Sequence, residues 1–154
     1  MHSVNPRLLS ITTVTVHCGP RYGELESNSL NILWNCQQPS GQNDYISILD
    51  LIENSDALIR SRYLEHLTSF ISIPVLGKPL YEHFELKGFN YFPSSLLMEK
   101  SNIWKSPSIL EALKILALEQ LVLNSSINKI VLKKADHNTY VLIKKFCTQK
   151  NITL

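Results

Sequence analysis

Residues 91 to 107 read Y-F-P-S-S-L-L-M-E-K-S-N-I-W-K-S-P and gather the densest set of side chains able to do chemistry. Ser95, Glu99, Lys100, Asn102, Trp104 and Lys105 crowd into this stretch, with Ser94 and Ser106 flanking them. A carboxylate can act as a general base or accept a sugar hydroxyl. An ammonium meets phosphate charge, and an indole offers a stacking face. The same residues have a plainer reading, in which Glu99 and Lys105 form an exposed pair and Trp104 anchors a junction between two helices.

Elsewhere, familiar site patterns are lacking. The histidines His2, His17, His66, His83 and His137 form neither an i, i+4 pair nor an H-E-x-x-H run, so the sequence predicts no metal site and no cofactor. It contains no G-x-S-x-G, G-x-x-x-x-G-K-[ST] or G-x-G-x-x-G pattern, which argues against serine hydrolases, P-loop enzymes and dinucleotide binders. Gly19-Pro20-Arg21-Tyr22-Gly23 can set Arg21 beside an anion or be an ordinary turn. Cys18, Cys36 and Cys147 are odd in number and far apart, fitting neither a disulfide framework nor a zinc knuckle.

The 154 residues are 44% hydrophobic and 18% charged, with net charge +2. This length and composition suit one globular domain and exclude the disordered and collagenous classes. Charge is divided along the chain. Four basic and seven acidic residues precede position 78, against eleven and six from there on, and all arginines lie in the first part. Without a dense basic run or interleaved aromatics, nucleic-acid binding is not expected. The amino terminus lacks the build of a secretory signal and no apolar stretch is long enough for a spanning helix, so the expected location is cytoplasmic.

The elements that must position the cluster follow from local pattern. Ile11 to His17 is β-branched and runs into Gly19-Pro20, and Leu30 to Trp34 makes a second strand. Asp44 is a candidate cap for a helix from Tyr45, which Asn54-Ser55-Asp56 can divide in two. Ile71 to Leu76 reads as a short edge strand or link because of Pro74. Leu80 to Leu86 reads as a short helix that Gly88 ends. Ser106-Pro107 opens the strongest helix, apolar on more than one stripe. Ile127 to Leu132 is a strand, and Asp136 to Lys150 is a helix with Tyr140, Ile143 and Cys147 inward. A further apolar run starts at Ile152. This β-α-β order predicts an α/β fold: a partial, mostly parallel sheet with helices on both faces. Either earlier strands complete that sheet or residues 1–154 are the amino-terminal part of a longer protein, and the second is the expectation.

The order F-N-Y-F-P-S-S-L-L-M-E-K-S-N-I-W-K-S-P followed by an amphipathic helix resembles a family of bacterial surface-carbohydrate (O-antigen locus) biosynthesis proteins. The matching positions are Ser95, Glu99, Lys100, Asn102, Lys105, Ser106 and Pro107, while Pro93 and Ser94 stand where more aromatic character is expected. The resemblance implies an amino-terminal, glycosyltransferase-like domain whose ligand is a nucleotide sugar or a glycan acceptor. Its partner would be the remainder of a longer chain or another protein. It implies substrate contact at the 95–105 cluster but identifies no catalytic residue. A non-catalytic interaction module of a polysaccharide-synthesis complex, or an unrelated small α/β binding protein, are the alternatives.

Overall fold

The computed structural model describes residues 11–20, 24–38, 44–92 and 107–154. In chain order the elements are β1 (Thr13–His17), β2 (Leu30–Leu33), β3 (Tyr45–Ser47), α1 (Ile48–Asn54) and α2 (Asp56–Ile71). There follow β4 (Pro74–Val75), β5 (Lys78–Pro79), a 3-10 helix (Leu80–Phe84), β6 (Glu85–Leu86) and β7 (Phe89–Asn90). The chain continues through α3 (Pro107–Leu123), β8 (Lys129–Lys133) and α4 (His137–Lys150). They fall into two compact units, one of Met1–Ser55 with Ala117–Leu154 and one of Asp56–Leu116.

The first unit is the α/β fold expected from the sequence. Its four-stranded sheet has the order β3-β2-β1-β8, and every pairing is parallel. The earlier strands thus fill one side of β8. Register places Val14, Val16, Leu30, Ile32, Ile130 and Leu132 on one face and Thr15, His17, Asn31, Tyr45, Ser47 and Lys133 on the other. From Val14 to His17 and throughout β2 all residues are buried, so both sheet faces are covered there, the usual condition of parallel strands. Val14, Val16, Ile32, Trp34, Ile48, Leu118, Ile130 and Ile143 are sealed from solvent and make the core.

Two local expectations change. Tyr45 to Ser47 is a strand rather than a first helical turn, because pairing with Asn31 to Leu33 outweighs the 3.6-residue period. The cap therefore shifts from Asp44 to Ser47, whose hydroxyl accepts the Leu49 and Asp50 N–H groups at 3.2 Å each. The break expected near Ser55 is present, with the Ser55 N–H closing on the Leu51 carbonyl at 3.1 Å. In α4, Ile143 and Cys147 point inward as expected, but the inward aromatic is Phe146, and Tyr140 is exposed. The buried stripe follows Thr139, Ile143, Phe146 and Cys147, and Tyr140 lies one helical step beside it. Asn151 then closes α4 in the left-handed region, and Thr153 pairs in parallel with Lys129.

The second unit is built from local contacts. Two antiparallel hairpins, β4-β5 and β6-β7, flank the 3-10 helix. Their turns, Leu76-Gly77 and Lys87-Gly88, have positive φ at both central positions, the geometry that fits the strand twist. Gly88 thus serves a hairpin turn rather than a helix end. Backbone bonds from Leu80 to Ile73 and from Tyr91 to Phe84, both 2.9 Å, tie hairpins and helix together. The His83 ring donates to the Val75 carbonyl at 2.6 Å. Among the described residues no helix is long and apolar enough to cross a membrane.

Candidate functional site

Ser95, Glu99, Lys100, Asn102, Trp104 and Lys105 all lie outside the described residues, as do Ser94, Ser106 and Arg21. The ends between which the 95–105 cluster runs are described. On one side Phe92 is buried, edge-on to Phe84 at 5.2 Å, with its N–H held by the Asn90 side chain at 2.8 Å. On the other, α3 begins at Pro107. Within the first turns of α3, Lys114 is buried and donates to the Glu111 carboxylate at 2.7 Å, so this cation is neutralised in place.

The sheet unit holds a second polar group of residues. His17 and Asn31, each 3% exposed, are joined by a 2.9 Å bond between the imidazole Nε2 and Asn31 Oδ1. Asn31 Nδ2 donates to the carbonyls of Glu26 and Ser29, while Oδ1 accepts the Glu26 N–H, all at 3.2 Å. Two carbonyls on one side and an N–H on the other fix which way the amide points. Oδ1 can only accept, so His17 Nε2 must carry a proton, and in the neutral ring Nδ1 holds the lone pair. Tyr45 packs edge-on against the imidazole at 5.8 Å. Thr15 and Ser29 share a hydroxyl–hydroxyl bond at 3.0 Å on the same face.

Lys133, in register with His17, donates to the Glu26 carboxylate, which is held below its usual pKa first by that hydrogen bond and then by the ammonium charge. One loop, Glu26 to Ser29, therefore serves both the His17–Asn31 pair and the lysine of β8. The pair Lys133–Glu26 is partly exposed, so its charge balance matters more here than any stabilisation.

Of these groups His17 and Lys133 sit at the carboxyl ends of β1 and β8, whereas Thr15 and Asn31 lie within β1 and β2, and Glu26 and Ser29 precede β2. The chain proceeds from β1 to β2 and β3 on one side, and β8 lies on the other side of β1, so connections diverge between β1 and β8. Open parallel sheets bind ligands at such a point. Its walls are the His17-Cys18-Gly19 and Lys133-Lys134-Ala135-Asp136 turns, stitched by the Cys18 N–H to the Lys133 carbonyl at 2.9 Å. Asn35 Nδ2 donates to the Cys18 carbonyl at 2.9 Å, and the Cys36 thiol approaches that of Gly19 at 3.7 Å.

The helix starts at this edge are already capped by the chain itself. Ser47 serves α1, and Asp136 serves α4 by accepting the Thr139 N–H and hydroxyl at 2.9 and 3.0 Å. Those two bonds hold the Asp136 carboxyl below its ordinary pKa. At this edge the Lys133–Glu26 pair is partly exposed, whereas Thr15, His17 and Asn31 are buried and hydrogen-bonded within the unit. Among the described residues no His, Cys, Asp and Glu side chains group in a way that could hold a metal ion.

Sequence reasoning gave His17 no role, although a signal was present. T-V-T-V-H alternates with period two, placing polar residues on one face of a strand, and Asn31 interrupts an otherwise apolar L-N-I-L. A polar residue inside a strand buried on both faces needs a partner, and each is the other's. No protein-family model, curated protein or solved structure matches this chain.

Proposed function

We propose that the chain serves surface-polysaccharide (O-antigen) assembly as an amino-terminal, glycosyltransferase-like domain that handles an activated sugar or its acceptor. The observation that carries this reading is the sheet order itself, whose connections diverge between β1 and β8, the point at which open parallel sheets bind ligands, with the partly exposed Lys133–Glu26 pair beside it. Glycosyl transfer asks mainly for positioning and electrostatics: an acceptor hydroxyl must be oriented and relieved of its proton while a leaving group gains charge. The order of residues 89 to 107, with Glu99 and Lys105 in the proposed substrate-contacting cluster, is the second support.

A second reading, as a non-catalytic interaction module, is favoured by the second unit, where Leu76 is 94% exposed and Leu86, Phe89 and Tyr91 are about half exposed or more. One experiment separates the two. The gene is replaced by a Glu99→Gln, Lys105→Met variant or by a Leu76→Ser, Leu86→Ser, Phe89→Ser variant, and surface polysaccharide is measured beside the melting temperature of each purified protein. Loss of polysaccharide in the first variant alone, with melting unchanged, is the result expected for a transferase-like role. Loss in the second alone means an interaction module. If neither variant alters polysaccharide, both readings are wrong.

A further inference from the structure

The hairpin β6-β7 carries its apolar side chains on the outside. Register pairs Leu86 with Phe89 and Glu85 with Asn90, so Leu86, Phe89 and, two residues on, Tyr91 share one face, while Asn90 and Phe92 share the other. The second of these faces is the inner one. Asn90 Nδ2 donates to the Tyr81 carbonyl at 3.2 Å, its Oδ1 accepts the Phe92 N–H at 2.8 Å, and Phe92 is buried edge-on to Phe84. The first face is left to solvent: Leu86 is 61%, Phe89 59% and Tyr91 49% exposed, and the two rings meet edge to face at 4.7 Å. An antiparallel pair with one wet side ordinarily turns its polar residues to the water, so this face inverts the usual pattern. Charge is also ordered along the hairpin. Glu82 and Glu85 stand at its base and Lys87 at its tip, all three exposed, and among the described residues none of them forms an ion pair.

We infer that this face is a self-association surface: a second copy of the chain packs its own β6-β7 against it, apolar face to apolar face, with the tip of each hairpin over the base of the other. The order of charge selects this occupant. A two-fold axis running across the strands brings Lys87 of each copy over Glu82 and Glu85 of the other, so opposite charges meet twice in one symmetric contact. An axis along the strands would set Lys87 on Lys87, and an anionic bilayer would meet two carboxylates for one ammonium. Area sets the strength. At roughly 100 Å² of exposed surface per side chain, Leu86, Phe89 and Tyr91 offer on the order of 300 Å², short of the about 800 Å² a side of stable complexes, so the dimer is weak and reversible, with Kd on the order of 10–100 μM. The inference goes beyond the glycosyltransferase-like reading and does not depend on it.

The test is sedimentation of the whole chain from about 5 to 500 μM, beside the melting temperature of each variant in dilute solution. Expected is a monomer–dimer equilibrium that Phe89→Ser weakens about tenfold or more without lowering the melting temperature. Lys87→Glu alone, and Glu82→Lys with Glu85→Lys alone, should each weaken self-association about tenfold. An equimolar mixture of these two charge variants should dimerise at least as well as the parent, because every charge again meets its opposite. Four results overturn the proposal: a chain that is still monomeric at about 500 μM; a dimer indifferent to Phe89→Ser; a mixture that associates no better than its components, which means that tip does not meet base; or a monomeric chain that floats with phosphatidylglycerol vesicles and loses this with Phe89→Ser, which assigns the face to a bilayer.

Discussion

The two units solve the burial of apolar side chains in opposite ways. In the sheet unit the large residues of β1 and β2 and Ile130 of β8 vanish from solvent, and even the polar residues among them are hydrogen-bonded out of water. In Asp56–Leu116 the hairpins hold their shape through neighbouring backbone bonds, and Leu58, Leu64, Phe70, Ile73, Leu86 and Phe89 remain more than 40% exposed. Stability measured for the chain should therefore report on the sheet far more than on the hairpins. Exposed apolar area, the usual currency of recognition, is concentrated in the other unit.

The sharpest way to break this contrast is to cut into the sheet core. Ile32→Ala removes a fully buried side chain from the centre of the β3-β2-β1 ladder and should cost about 2–5 kcal/mol in urea unfolding. A loss below about 1 kcal/mol would mean that the sheet is not where stability resides. Next in size is the cap of α4. Asp136→Ala strips the acceptor from Thr139 and should lower the melting temperature by a few degrees at neutral pH. Because the folded state holds the Asp136 carboxyl below its ordinary pKa, this contribution is complete above the ordinary carboxylate range. It disappears as pH falls through the depressed value, so parent and variant should converge in acid. Persistence of the full difference in acid would show that the carboxylate charge is not what caps the helix.

The smallest effect belongs to the hairpin tip. Leu76 sits almost fully in solvent at a left-handed φ of 48°, so Leu76→Asn loses little burial and gains a residue that tolerates the turn. Stability should stay within about 0.5 kcal/mol of the parent or rise slightly. A large loss would show that Leu76 is covered in solution, and would erase the difference between the units.

Much of the fold was legible because it rests on strong local signals. The β-branched run before Gly19-Pro20, the Pro107 start and the Asp136 cap each specify their element within a few residues. Tyr45 to Ser47 was misread because a three-residue strand has no period of its own. Its state is set by β2, with which it pairs in parallel. Leu80 to Leu86 was half right: the 3-10 helix is there, but Glu85 and Leu86 belong to a hairpin whose other strand lies beyond Gly88. The His17–Asn31 pair was illegible as a pair, since nothing local joins residues 14 positions apart until parallel register places them side by side.

The salt link between Glu26 and Lys133 joins residues 107 positions apart, and β8, which carries Lys133, closes the sheet beside the central strand β1. All of Asp56–Leu116 lies in the chain between these two partners. During synthesis the amino-terminal strands must therefore wait, unpaired on one edge, until β8 emerges, and closing so long a loop costs entropy before any contact repays it. The inserted hairpins, whose contacts are close in sequence, can form in that interval. The order of assembly is thus the reverse of the order of burial: the most exposed part of the molecule organises early and the best buried part is completed late.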